Sequence, residues 1–194
     1  MVGKVLPPSF YNRAPDVVAR ELLGAIVVHE VCGTLCSGRI VETEAYFAED
    51  DPACHAWRGK TRRNAIMFGP PGHAYVYFCY GNHWLLNAVT EGEGRGSAVL
   101  IRALEPLTGI EMMQARRGGV RLQELTNGPG KLCAALGITG RHNGLPLYSG
   151  SLRIHAGEGP APRWEVGPRI GIRVGTDILA RFYIAEHPCV SRRA

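Results

Sequence analysis

The chain has 194 residues, of which 45% are hydrophobic and 20% charged. That composition supports one sizeable core in a single domain and excludes a disordered, collagenous or coiled-coil protein; no apolar stretch approaches the ~20 residues of a membrane-spanning helix. Lys and Arg number 22 against 17 Asp and Glu, a net charge of +5, which admits a phosphate backbone as partner without requiring one.

Residues 1–13 read as an irregular arm with no apolar h-region, hence no secretory signal. Pro15 opens a helix that runs to about residue 23, and Gly24 ends it. Residues 25–31 and 35–43 read as a β-hairpin about Cys32-Gly33-Thr34. Residues 47–72 form a long loop or broken helical segment, a type of segment that often carries function. Strand compositions follow at residues 74–80, 84–90 and 97–104. A helix is expected over 108–117 and another from Pro129 to Gly137, with Asn127 as a candidate cap. Residues 140–163 are rich in Gly and Pro around a strand at 151–155. Short strands fill 166–184, and 190–194 reads as a polar tail. The expected fold is α/β in the mixed α+β sense, with a curved, mainly antiparallel sheet flanked by helices and no domain break over residues 1–194.

Six cysteines, at 32, 36, 54, 79, 133 and 189, are irregularly spaced. Reduced thiols in a cytoplasmic compartment are the simpler reading. Cys32 and Cys36 with His29 invite a zinc check, but two cysteines cannot fill a four-ligand site and no second close pair follows. The deaminase pattern, His-x-Glu followed by Pro-Cys-x-x-Cys, is missing. Gly92, Gly94 and Gly96 lack the Lys-Ser/Thr and following helix of a phosphate loop and read as a turn.

Three segments concentrate chemistry. In Arg39-Ile40-Val41-Glu42-Thr43-Glu44-Ala45-Tyr46, strand alternation puts Glu42, Glu44 and Tyr46 on one face, with Ile40 before them. That face is either solvated or holds a general base in a cleft. In Tyr75-Val76-Tyr77-Phe78-Cys79-Tyr80, the aromatic rings either fill a core or suit base stacking and insertion into a duplex. Asn87 and Arg102 each interrupt an apolar strand. If buried, Asn87 needs hydrogen bonds, and Arg102 needs a carboxylate or an anionic ligand.

Taken together, Glu-Thr-Glu-Ala-Tyr at 42–46, Arg-Asn-x-x-Met-Phe at 63–68, Tyr-Val-Tyr at 75–77 and Leu-Ile-Arg-Ala-Leu-Glu-Pro at 100–106 resemble the alkyladenine, or 3-methyladenine, DNA glycosylase family found in mammals and many bacteria. Further matches at residues 19–24, 53–58, 87, 128–136 and 181–183 extend the resemblance, in order, over most of the chain.

The resemblance implies an enzyme that flips damaged purines out of double-stranded DNA and hydrolyses their N-glycosidic bond, at the start of base excision repair. It implies Glu44 as the base that directs water and Arg102 beside the target nucleotide and that water. The pocket would comprise Tyr46, Ala53, His55, Tyr77, Asn87 and Ile172, with main-chain atoms at Ala53, His55 and Ile172–Arg173 reading the base edge. Tyr80 would insert into the duplex. Arg173 stands where some members have Gly, and the family's variable N-terminal extension is absent.

The residue types suit this chemistry. Cleavage develops positive charge on the sugar, which a carboxylate stabilises. Aromatic rings hold a flat base, and a wedge offsets lost stacking. Arg58, Lys60, Arg62, Arg63 and Lys131 are candidates for phosphate contact or local ion pairing. Lys4, Lys60 and Lys131 are the only lysines and match no Schiff-base residue, so a monofunctional hydrolase is expected, without cofactor or metal. It is expected to act as a monomer, away from membranes, in the bacterial cytoplasm at the nucleoid, or in the nucleus if eukaryotic. The alternatives are a non-catalytic binder of damaged or distorted duplex and a zinc-dependent base hydrolase or deaminase.

Overall fold

A computed structural model describes residues 3–31, 33–79 and 81–191. The Val- and Ile-rich segments at 25–46 form the expected hairpin, β1 (Ile26–Val31) and β2 (Thr34–Tyr46). β2 continues past its predicted end to Tyr46. β3 (Ala74–Cys79), β4 (His83–Thr90) and β5 (Ser97–Thr108) follow as an antiparallel meander. β5 carries on through Pro106, four residues beyond the predicted strand. β6 (Leu152–His155), β7 (Trp164–Gly167) and β8 (Arg181–Ile184) complete one antiparallel sheet, with the main order β3-β4-β5-β2-β1-β6.

The sheet forks at β2. One edge of β2 pairs with β5 from Ser37 to Tyr46. The other edge pairs with β1 over residues 34–39 and then with β8 at Glu42–Glu44, and β8 in turn carries β7. The second half of β2 is therefore bonded on both sides, which keeps water from its backbone where Glu42 and Glu44 lie.

Helices cover one face. α1 (Pro8–Tyr11), α2 (Pro15–Glu21) and α4 (Pro129–Leu136) each begin on a proline, whose fixed φ and missing N–H suit a first turn. α3 (Ile110–Arg116) starts two residues later than expected. Gly109 precedes it at φ +75°, and a Cβ there would lie 2.6 Å from the Leu35 carbonyl oxygen. Ile40, Val76, Leu86, Val99 and Ile101 meet Val18 and Leu22 of α2 and Leu132 and Leu136 of α4 in the principal core. The alternate residues of β3, β4 and β5 face the opposite side and build a cavity.

Several sequence expectations require correction. The described part of the N-terminal arm, residues 3–13, is not wholly irregular: it contains α1, Val5 bridges His155, and Tyr11 is fully buried. Asn127 does not cap α4; Gly128 holds the cap position, and the Asn127 side chain accepts a hydrogen bond from Lys131 Nζ. The segment at 47–72 agrees with its reading as a long loop or broken helical segment, with one 3-10 helix at Ala65–Phe68. The tail is not solvated at Ser191, which is buried against Glu42. Residues 168–180, expected to hold short strands, are irregular between β7 and β8.

Candidate active site

A pair of compensating irregularities places the charged groups. Ile40 pairs with Leu104 and Glu42 with Ala103, so β2 carries one extra residue, Val41. Thr43 then pairs with Ile101, so β5 carries one extra residue, Arg102. A bulge re-aims side chains without disturbing the ladder beyond it. Glu42 and Glu44 share a face, as strand alternation predicts, but Ile40 does not join them: the bulge at Val41 leaves Ile40 in the helix-side core. Arg102, in phase with the cavity-lining Ala98 and Leu100, lies between the carboxylates, with Nε 3.4 Å from Glu42 Oε1 and Nη1 3.4 Å from Glu44 Oε1.

The two glutamates differ in what they have left to accept. Glu42 takes hydrogen bonds from Arg181 Nε, from the Ser191 hydroxyl at 2.8 Å and from the Ser191 N–H at 2.8 Å. Its oxygens are occupied, and it anchors Arg102 from behind. Glu44 accepts from the Ile170 N–H at 2.8 Å on Oε1 and from the Tyr46 hydroxyl at 2.9 Å on Oε2. A carboxylate offers roughly four lone-pair sites, so Glu44 retains capacity for a water. Burial raises its carboxyl above the usual range; Arg102, the Ile170 N–H and the Tyr46 hydroxyl pull it back, and Glu42 adds a smaller upward push. Burial and the Glu44 charge hold the Tyr46 phenol well above its ordinary value, so it stays a donor.

Tyr46, Arg102 and Ile170 form one wall of a cavity of about 410 Å³, directly in front of Glu44. Of the predicted pocket residues, Tyr46, Ala53, His55, Tyr77, Asn87 and Ile172 all line it, and so do Tyr75 and Arg173. Tyr75 and Tyr77 stack at 5.3 Å, and His55 meets Tyr77 edge-on at 4.6 Å. His55 Nδ1 lies 2.9 Å from the Tyr75 hydroxyl. Burial, and then the Arg63 charge, lower its pKa, which favours neutral imidazole. Asn87 Nδ2 donates to the Tyr75 carbonyl at 3.0 Å across the β3–β4 pair, which fixes its orientation in the cavity wall. Of the main-chain groups expected to read a ligand edge, the Ala53 N–H is committed to Asp51 and the His55 carbonyl already accepts from Asn64.

Sequence reasoning missed Ile170, whose N–H reaches Glu44, and the wholly buried pair Arg169–Asp51 behind the cavity. It also missed Ser191. The only local signals were an Asp-Asp-Pro run at 50–52 in a long loop and an isolated Arg169 after Gly167-Pro168.

Arg58, Lys60 and Arg62 are exposed on the 47–72 segment, which also supplies Ala53 and His55 to the cavity. Arg58 and Arg62 form no ion pair among the described residues. Arg63 is committed locally, donating to the Phe78 carbonyl at 3.2 Å with its guanidinium 5.7 Å from the Tyr77 ring. Tyr80 and Cys32 lie outside the described residues. His29 bonds to the Leu136 carbonyl, while Cys36 is buried beside Gly109 and Arg116. Among the described residues, no cluster of three or more His, Cys, Asp or Glu is placed to hold a metal.

The sequence pattern of the methylpurine-DNA glycosylase family matches residues 9–188. Relatives named "Putative 3-methyladenine DNA glycosylase" include one from Carboxydothermus hydrogenoformans, 50% identical over 191 residues, covering 97% of this chain and 100% of the relative. Another, from Chlorobaculum tepidum, is 49% identical over 97% of this chain and 91% of its own length. A third, from Methanoculleus marisnigri, is 49% identical over 97% of this chain and 99% of its own length.

Proposed function

The chain belongs to the methylpurine-DNA glycosylase family, and we propose that it takes a damaged purine nucleotide from duplex DNA into the 410 Å³ cavity and hydrolyses its N-glycosidic bond. Its substrates are 3-methyladenine and other alkylpurines, with hypoxanthine and ethenoadenine as neutral candidates. One observation carries this reading: a buried, incompletely satisfied Glu44 stands behind the wall of an aromatic cavity.

Tyr77 and Tyr46 bracket a flat base, and His55 closes its edge. Glu44 directs a water at the anomeric carbon and accepts its proton, while its charge stabilises the cationic sugar. Its upward-shifted pKa makes it a stronger base than an exposed glutamate. Arg102 holds Glu44 in place and remains in the cavity wall to face the nucleotide. Alkylation at N3 or N7 makes the leaving base cationic and ready to depart; neutral bases need protonation as they leave. Arg58, Lys60 and Arg62 lie exposed on the segment that supplies Ala53 and His55 to the cavity, where they can contact phosphates and fix register. Tyr80, which follows Cys79 in the sequence, is the residue proposed to fill the gap left by the extruded nucleotide.

The test is excision from duplexes that each carry a single lesion, read as strand cleavage after alkali. Release of 3-methyladenine or hypoxanthine is expected. Tight binding to these duplexes with no abasic product would overturn the catalytic reading and leave a lesion binder.

A further inference from the structure

Arg169 and Asp51 are both fully buried at the side chain and form a forked pair, Nη2 to Oδ1 at 2.7 Å and Nη1 to Oδ2. A pair this deep repays its desolvation only with good geometry and further hydrogen bonds. Those bonds tie the pair to the site. Asp51 also accepts from the Phe47 and Ala53 N–H groups, at the end of β2 and in the cavity wall. Arg169 also donates to the Ala45 carbonyl at 3.1 Å and the Gly175 carbonyl at 3.2 Å, closing the 169–175 segment over the cavity.

We propose that Arg169, clasped by Asp51, is a positioning residue for Glu44, holding in place the two groups that donate to its two carboxylate oxygens. One donor is the N–H of Ile170, the next residue in the chain. The other is the hydroxyl of Tyr46, whose ring has the Arg169 guanidinium 4.7 Å from its centroid. Arg169 does not line the cavity, so it addresses Tyr46 from behind and acts through it. Arg169, Ile170, Tyr46 and the Ala45 carbonyl thus form one closed circuit around Glu44. A clasp that served stability alone would have no need to terminate on both Glu44 donors.

The inference rests on Glu44 being the base. A carboxylate that loses hydrogen bonds to its ionised form is harder to ionise. Losing the clasp therefore moves the acid limb of the rate profile to higher pH. The charged or titratable groups facing Glu44 are Glu42 and Tyr46 on its own strand, Arg102 on β5, Arg181 on β8, Tyr77 on β3 and Arg169 itself. All but Arg169 are retained in the variants.

The experiment measures single-turnover excision against pH on a hypoxanthine duplex, with saturating enzyme, for wild type, Arg169→Lys and the double variant Asp51→Asn/Arg169→Gln. The double variant removes both charges together and so leaves no buried charge unpaired. Expected at neutral pH is a loss of about tenfold to a hundredfold in the maximal rate, as for a misplaced reacting group. Half-saturating enzyme concentration should be unchanged, and the acid limb should lie at higher pH. Arg169→Lys, which keeps the charge, should recover part of the rate. A uniform rate loss with the wild-type pH profile, matched by lowered thermal stability, would overturn the clasp and leave a purely structural pair. A wild-type enzyme with no acid limb, or one that Glu44→Gln does not abolish, would overturn the assignment of Glu44 and the clasp with it.

Discussion

Glu42 and Arg102 stand 3.4 Å apart at the point where β2 and β5 slip out of register by one residue and return. Arg102 keeps the cavity-facing phase of Ala98 and Leu100, and the slip beside it sets Glu42 and Glu44 on either side of its guanidinium. Arg102 is thereby placed by the backbone itself, and Glu42 and Ser191 lock it from behind.

Glu42 is accordingly structural. Glu42→Ala leaves Arg181 without its buried partner and removes three hydrogen bonds. The expected loss is about 3–5 kcal/mol, the usual cost of stranding one member of a buried pair. A shift of the urea midpoint at constant slope measures it. A loss below about 1 kcal/mol, as found for exposed pairs, would contradict the assignment.

Glu44→Gln keeps the shape of the side chain and removes its charge. Single-turnover excision should fall by at least ~100-fold. Stability should move the other way. The folded-state pKa of Glu44 is raised, so the folded protein holds the proton more tightly than the unfolded chain. Wild-type stability therefore falls as pH rises through the window from the unfolded value up to the raised folded value, and the penalty persists above it. The variant, free of that penalty, should melt at or above the wild-type temperature at pH 7. Near-normal excision would remove Glu44 from the mechanism.

Asn87 projects into the cavity wall with its amide held by the Tyr75 carbonyl. We assign it to the exclusion of undamaged guanine, whose 2-amino group would meet a fixed side chain that adenine and hypoxanthine clear. Asn87→Ser should raise excision of normal guanine relative to hypoxanthine, even if both rates fall. Matched single-turnover rates, alongside thermal unfolding, give the ratio. An unchanged ratio in a well-folded variant would return Asn87 to a packing role.

His29 and His142 are buried and meet edge-on at 4.6 Å on the helix side of the sheet. Burial lowers both pKa values. For His29, the Leu136 carbonyl opposes this, while His142, Arg116 and Arg141 add to it; for His142, the Thr139 backbone opposes and Arg141 adds. The unfolded chain then binds more protons than the folded one below about pH 6.5. Stability should be fully present above that pH and fall as the solution is acidified towards the lowered folded values. His29→Gln, which retains a donor for the Leu136 carbonyl, should flatten the decline. Denaturant midpoints between pH 7.5 and 5.5 test this, and an equal slope in both proteins would contradict it.

The sheet and the helices α2, α3 and α4 were legible because their signals are local: strand composition in β3, β4 and β5, and prolines that open α2 and α4. The pocket residues were legible through short motifs that each sit on one strand or loop. What was hidden depends on partners far along the chain. Nothing near Val41 announces the bulge, because it exists only in the pairing of Ile40 with Leu104 and Glu42 with Ala103 on β5. Asp51 finds Arg169 118 residues away, and Ser191 finds Glu42 149 residues away. A serine in a polar terminus and an aspartate in a loop look solvated until those contacts are known.

The fork in β2 also sets an order of events. The meander β3–β4–β5 needs only neighbouring segments, whereas the site half of β2 waits for β8 and Ser191. Contacts of such long separation form late and slowly, because the intervening loop must close before any bond rewards it. During synthesis the β3–β4–β5 meander can therefore take shape while Arg102 still lacks Ser191 and Glu42 still lacks Arg181. The last segment to dock converts a folded scaffold into a chemically competent one, so that acquiring structure and acquiring activity are separable in time.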